Sequence, residues 1–122
     1  MSKLLSKENI LAAKDIQTID VEVPEWGGTV RVSEISAGDR CRLQAMIFGD
    51  DDKPKSAEEI SEIMTIRLCA MACVDENGEK IFSMDDVAAL AKKSSKAINR
   101  IFDAADKLNG ISVRAEEQIR KK

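Results

Sequence analysis

Residues 19–35 carry two runs of alternating apolar and polar residues around Gly27-Gly28, and no other stretch restricts the fold of this chain so tightly. Glycine takes positive φ without steric cost, so a Gly-Gly pair predicts a two-residue type I′ turn between antiparallel strands. That turn sets Trp26 opposite Thr29, Glu25 opposite Val30 and Val23 opposite Val32. Val21, Val23, Val30 and Val32 then share one face, as a half-buried hairpin requires. Pro24 has no N–H to give, so its strand is expected at the edge of a sheet.

Elsewhere the apolar spacing is helical. Ser6 is placed to cap a short helix running through Ile10, Leu11 and Ala12 to Lys14. Longer helices are predicted at about 36–48, 56–73, 83–93 and 95–108. Ser36 with Asp39 opens the first of these. Ser56 with Glu59 forms a capping box for the second, whose apolar face starts at Ile60 and widens through Cys69, Ala70 and Cys73. Between the second and third, Asn77-Gly78 predicts a tight turn with a minimal hairpin. Ser83 caps the third, with Phe82 and Val87 as a hydrophobic staple, and Asn109-Gly110 ends the fourth.

One Trp, three Phe and no Tyr leave the core to aliphatic side chains. The expectation is an α+β fold, mainly α-helical, with the N-terminal β-hairpin packed on a bundle of four to five helices. Residues 1–110 are read as a single domain and residues 111–122 as a basic tail. Charge is unevenly spread: residues 1–91 hold 10 basic and 18 acidic side chains, and residues 92–122 hold 9 and 4. Such a dipolar chain is suited to meeting an acidic partner or to stacking head-to-tail on itself.

Absences narrow the chemistry. Without His there is no Ser–His or Cys–His pair and the commonest metal ligand is missing, and without Tyr there is no phenolic acid. Three Cys with no signal-peptide pattern read as reduced thiols in a cytoplasm. No run approaches the roughly 20 apolar residues of a membrane span. The net charge of -3 argues against nucleic acid, although Lys92, Lys93, Lys96 and Arg100 cluster on two turns of one helix. Cys41, Cys69 and Cys73 offer too few ligands for structural zinc, and Asp50, Asp51 and Asp52 lack the alternate spacing of an EF-hand. The chain is therefore read as a non-enzyme that holds neither cofactor nor metal.

What remains is binding of proteins. Trp26, beside the hairpin turn, is either an anchor for a partner or packed on its own domain. Glu25 adjoins it. The polar loop of Asp50, Asp51, Asp52, Lys53 and Lys55 supplies a second candidate contact, and with the basic tail it suits self-association. Met46, Met64, Met71 and Met84 are adaptable apolar contacts, though helical spacing also suits them to a core.

The string Val23-Pro24-Glu25-Trp26-Gly27-Gly28-Thr29-Val30 resembles the tail assembly chaperones of long-tailed bacteriophages. So do Leu4-Leu5-Ser6-Lys7-Glu8 with Ile10-Leu11, Val74-Asp75-Glu76-Asn77-Gly78 with Phe82, and Leu108-Asn109-Gly110. The resemblance implies a non-enzymatic chaperone of the infected bacterial host's cytoplasm that is left out of the mature virion. Its partners would be the tape measure protein, which it keeps soluble, and the tail tube protein, whose subunits it recruits. A longer frameshifted form is common in that family, and Lys121-Lys122 is compatible with a run of A in the gene. The competing expectation is a small cytoplasmic adaptor or regulatory domain that binds one protein partner.

Overall fold

The computed structural model describes residues 3–48 and 55–110. Its elements are α1 (Lys7–Ala12), β1 (Thr18–Val23), β2 (Gly28–Ser33), α2 (Ala37–Phe48), α3 (Ala57–Glu62), α4 (Leu68–Ala72), β3 (Cys73–Val74), α5 (Val87–Leu90) and α6 (Ser95–Asn109). The expected α+β architecture is present, with helices dominating and a small antiparallel sheet ordered β1-β2-β3.

The hairpin forms with a different turn from the one expected. Pro24–Trp26 is a 3-10 turn, and Gly27, at φ 73, closes it with its N–H donated to the Pro24 carbonyl. Proline fixes its own φ near the helical value and has no N–H to leave unpaired, so it opens such a turn more readily than it sits in a ladder. Val23 consequently pairs with Gly28, Val21 with Val30 and Ile19 with Val32, not Val23 with Val32. The correction leaves the buried face unchanged, because the register moves by an even number of residues. Val23 and Val32 are fully buried, and Val21 and Val30 pack beside them. β1 is an edge strand, with Pro24 just beyond its end.

The second predicted long helix contains a π-turn at Ile63–Arg67, between α3 and α4. A π-turn closes its hydrogen bonds five residues on, and here the Leu68 N–H donates to the Ile63 carbonyl. Ile63 and Leu68 thereby come to one face, and both are buried. From Leu68 to Val74 every residue is buried, so this segment is the centre of the molecule. It leads directly into β3, where Val32 pairs with Cys73 and Arg31 with Val74. The Asn77-Gly78 turn follows, with Gly78 at φ 81 and a bridge between Val74 and Lys80. The minimal hairpin at Asn77-Gly78 is therefore present, and its first arm also joins β2 as a third strand, which sequence spacing did not show.

The third helix is shorter than its predicted span of 83–93. Ser83 and Asp86 cap a 3-10 turn, Met84–Asp86, and α5 then runs only from Val87 to Leu90. Those two are its buried residues, and past Leu90 the exposed Lys92 and Lys93 offer no apolar face to hold further turns. Phe82 packs against the core cluster that contains Val87. α6 matches its expected span, lays Ala97, Ile98, Ile101 and Ala105 on the core and ends at Gly110 with φ 65.

Candidate functional site

The turn at Pro24–Trp26 rests against α6. Glu25 accepts two hydrogen bonds from Arg100, Nε at 2.9 Å and Nη2 at 3.2 Å. This bidentate pair holds the Glu25 carboxyl below its ordinary range, the Arg100 hydrogen bonds being the main cause. Glu25 therefore ties the turn to its own domain, and Arg100 leaves the basic cluster with its charge engaged. Trp26 is an exposed large apolar side chain, at 36%.

Asp50, Asp51, Asp52 and Lys53, the heart of the second candidate contact, lie outside the described residues. So does the basic tail, residues 111–122. Lys55 is described and lines a groove of about 390 Å³ between α2 and α3, with Met46 and Ile63 as its apolar wall and Glu59, Glu62 and Arg67 around it.

A larger groove, about 560 Å³, opens where β1 begins. Ile16, Ile35, Met71 and Val74 give it apolar walls. At its rim Asp39, only 7% exposed, takes Arg42 at 2.8 Å on one oxygen and Lys80 at 2.6 Å on the other. Ser36 caps α2 by accepting the Asp39 N–H. Burial alone would raise the Asp39 carboxyl; Lys80 and then Arg42 outweigh it and leave it below its ordinary 3.8. A carboxyl depressed on folding stabilises above its unfolded value and loses that contribution as pH falls through its folded value. Asp39→Asn should therefore cost about 1–2 kcal/mol near neutrality, toward the lower end because both cations reach solvent. Denaturant titrations should show the gap between the two proteins closing below pH 3.8; an unchanged gap at lower pH would remove the ion trio from the account.

Residues 3–17 form an arm. α1 has a complete capping box, Ser6 with Asn9, yet buries no residue. Leu4 is 95% exposed and Leu11 74%, with Leu5, Ile10 and Ile16 open as well. The body holds the arm at Gln17, whose N–H donates to Glu34 Oε1 at 3.1 Å and whose carbonyl accepts the Glu34 N–H at 2.8 Å.

Cys69 and Cys73 are buried free thiols, each pushed up to about 12 by burial, so they stay protonated and unreactive. Among the described residues no group of three His, Cys, Asp or Glu is arranged to hold a metal ion, and no helix is long and apolar enough to cross a membrane. Among the long-range links that escaped sequence reasoning are Glu25 with Arg100, Asp39 with Lys80, and Asn109 with Ile35. Their partners lie far apart in the chain, and local spacing carries no signal for them.

Comparison with known proteins places this surface in context. A search of curated proteins finds no match. Among solved structures, the tail assembly chaperone of bacteriophage HK97 aligns with a TM-score of 0.59 at 20% identity, covering 83% of this chain and 90% of that one. At that identity the likeness is one of fold. A family model described as phage tail assembly chaperone matches residues 6–122. With nearly its whole length matched, this chain belongs to the phage tail assembly chaperone family.

Proposed function

We propose that this chain binds the tape measure protein, keeps it soluble and recruits tail tube subunits to it during tail assembly. It does so without catalysis, in the cytoplasm of the infected bacterium, and does not remain in the mature virion. The observation that carries this reading is the amount of apolar surface left open in a member of an assembly chaperone family. The arm, Trp26 and Phe48 are all exposed, and open apolar surface of this kind is what a holder of aggregation-prone chains needs. Residues 1–110 act as the binding domain. Trp26 is the contact residue at the hairpin tip, with Glu25 orienting it through Arg100, and the Asp50, Asp51, Asp52, Lys53 and Lys55 loop adds a charged contact.

Co-expression with the tape measure protein of the same phage tests this reading. The expected result is a soluble tape measure that co-purifies with many copies of this chain. Trp26→Ala should weaken that recovery about 10-fold, the effect of losing a moderate aromatic anchor. An aggregated tape measure beside free chaperone would overturn the proposal. Full recovery with Trp26→Ala would move the contact away from the hairpin tip.

A further inference from the structure

Residues 92–100 carry Lys92, Lys93, Lys96 and Arg100 and no acidic side chain, in a chain whose net charge is -3. All four are exposed, in the first turns of α6 and just before it. Arg100 is engaged by Glu25. Among the described residues Lys92, Lys93 and Lys96 form no ion pair, so three cations stand within five residues without an anion in contact. The open N–H groups at the start of α6 add positive potential on the same side.

The turn that holds Trp26 is fastened to this same helix. Glu25 receives Arg100 as a bidentate partner, and Lys96, one turn nearer the start of α6, is close enough to help lower the Glu25 carboxyl. Trp26 is thus an exposed ring next in sequence to the residue that touches the basic run. An aromatic beside unpaired cations fits a ligand that offers carboxylates and an apolar side chain together. Nucleic acid also meets cations and aromatics, but a duplex carries one charge per about 1.7 Å of its axis. Whatever extended past the patch would face residues 1–91, which hold 18 acidic side chains against 10 basic. An acidic peptide is sparsely charged and short enough to stay on the patch.

We infer that Trp26 with Lys92, Lys93 and Lys96 forms a docking surface for an acidic amphipathic segment of a partner protein. The inference rests on Trp26 as a contact residue and adds what the partner must bring to it: carboxylates for the lysines and an apolar side chain for the ring. Arg100 has a positioning role, because its charge is taken up by Glu25 and holds the turn in place.

Trp26 is the sole Trp of the chain, so its emission in the full-length protein reports on this surface. The probe is a Trp-free peptide of about five helical turns, with leucines on one face and glutamates on the other, labelled for anisotropy. Its controls are the same peptide with Gln for Glu and a single-stranded oligonucleotide of similar charge. The Glu peptide should bind and shift the Trp26 emission to shorter wavelength. Its Gln counterpart should bind about 10-fold more weakly, the combined effect of three exposed charge pairs, and high salt should erase the difference. Lys92→Gln with Lys93→Gln and Lys96→Gln should remove the same preference without moving the melting temperature, since all three side chains are exposed. Equal binding of the two peptides, binding that leaves the Trp26 emission unmoved, or a triple variant that binds like the wild type overturns the inference. So does a failure of the Glu peptide to bind, and so does tighter binding of the oligonucleotide, which would make this a nucleic-acid surface. The peptide readout is separate from the tape measure: co-purification can fail while the Glu peptide still binds, and the reverse result removes the acidic occupant alone.

Discussion

Leu68→Ala should lower stability by about 2–5 kcal/mol, the range for emptying a leucine site that cannot collapse. Leu68 is fully buried, and it sits where three structural demands coincide. Its N–H closes the π-turn on Ile63, its side chain belongs to the core cluster with Ile101, and it starts the helix that runs into β3. Alanine leaves the backbone bond intact, so the loss is one of packing. A domain of this size has about 5–15 kcal/mol in all, so the midpoint of denaturant unfolding should fall by a large fraction. Leu68→Met, which keeps the volume, should cost under about 1.5 kcal/mol. Equal losses for Ala and Met would mean that Leu68 matters through something other than the space it fills.

Asn109→Ala should be the next most costly change, at about 1–3 kcal/mol. The side-chain oxygen of Asn109 accepts the Ile35 N–H at 2.9 Å, and its amide donates to the Ala105 carbonyl at 2.8 Å. Its own backbone carbonyl accepts from Arg40. One residue thus joins the exit of β2, the start of α2 and the end of α6. Alanine strands the Ile35 N–H in a half-buried site, whereas Asn109→Asp keeps an acceptor for it. A carboxylate would stand against the Ala105 carbonyl, so the two variants are compared at low pH, where a protonated carboxyl avoids that clash. Thermal unfolding should therefore rank wild type above Asn109→Asp and Asn109→Asp above Asn109→Ala. If the Asp and Ala variants melt together, the link to Ile35 contributes nothing.

Local chemistry was legible in the sequence and distant chemistry was not. Ser6, Ser36, Ser56 and Ser83 all cap where their spacing places them, and Gly110 ends α6, because a cap is decided within four residues. The valine face of the hairpin was readable by parity alone, even though Pro24 took the turn from Gly27-Gly28. The π-turn was hidden because Ile60, Ile63, Met64, Leu68 and Met71 fit one face of a continuous α-helix, and only the tertiary demand to bury Ile63 and Leu68 selects the wider turn. That β3 would pair with β2 was hidden, because two residues carry no period and the partner lies about 40 residues back. At the candidate site, Glu25 and Trp26 were recognised by type, but the partner that fixes Glu25 lies on α6 and left no trace near residue 25.

The sheet also orders events in time. β1 and β2 are neighbours in sequence and can pair within microseconds of leaving the ribosome. β3 lies beyond α2, α3 and α4, so Cys73 reaches Val32 only after all three helices have been synthesised. At 5–20 residues per second that gap lasts about 2–8 s, during which the young hairpin shows two bare edges. Several ribosomes on one message would display such hairpins side by side. Asp20 is neutralised by Arg31 across the hairpin at 2.7 Å, so on the open face of β1 it is Glu22 that sets like charges against one another there and works against nascent chains zipping together before β3 arrives.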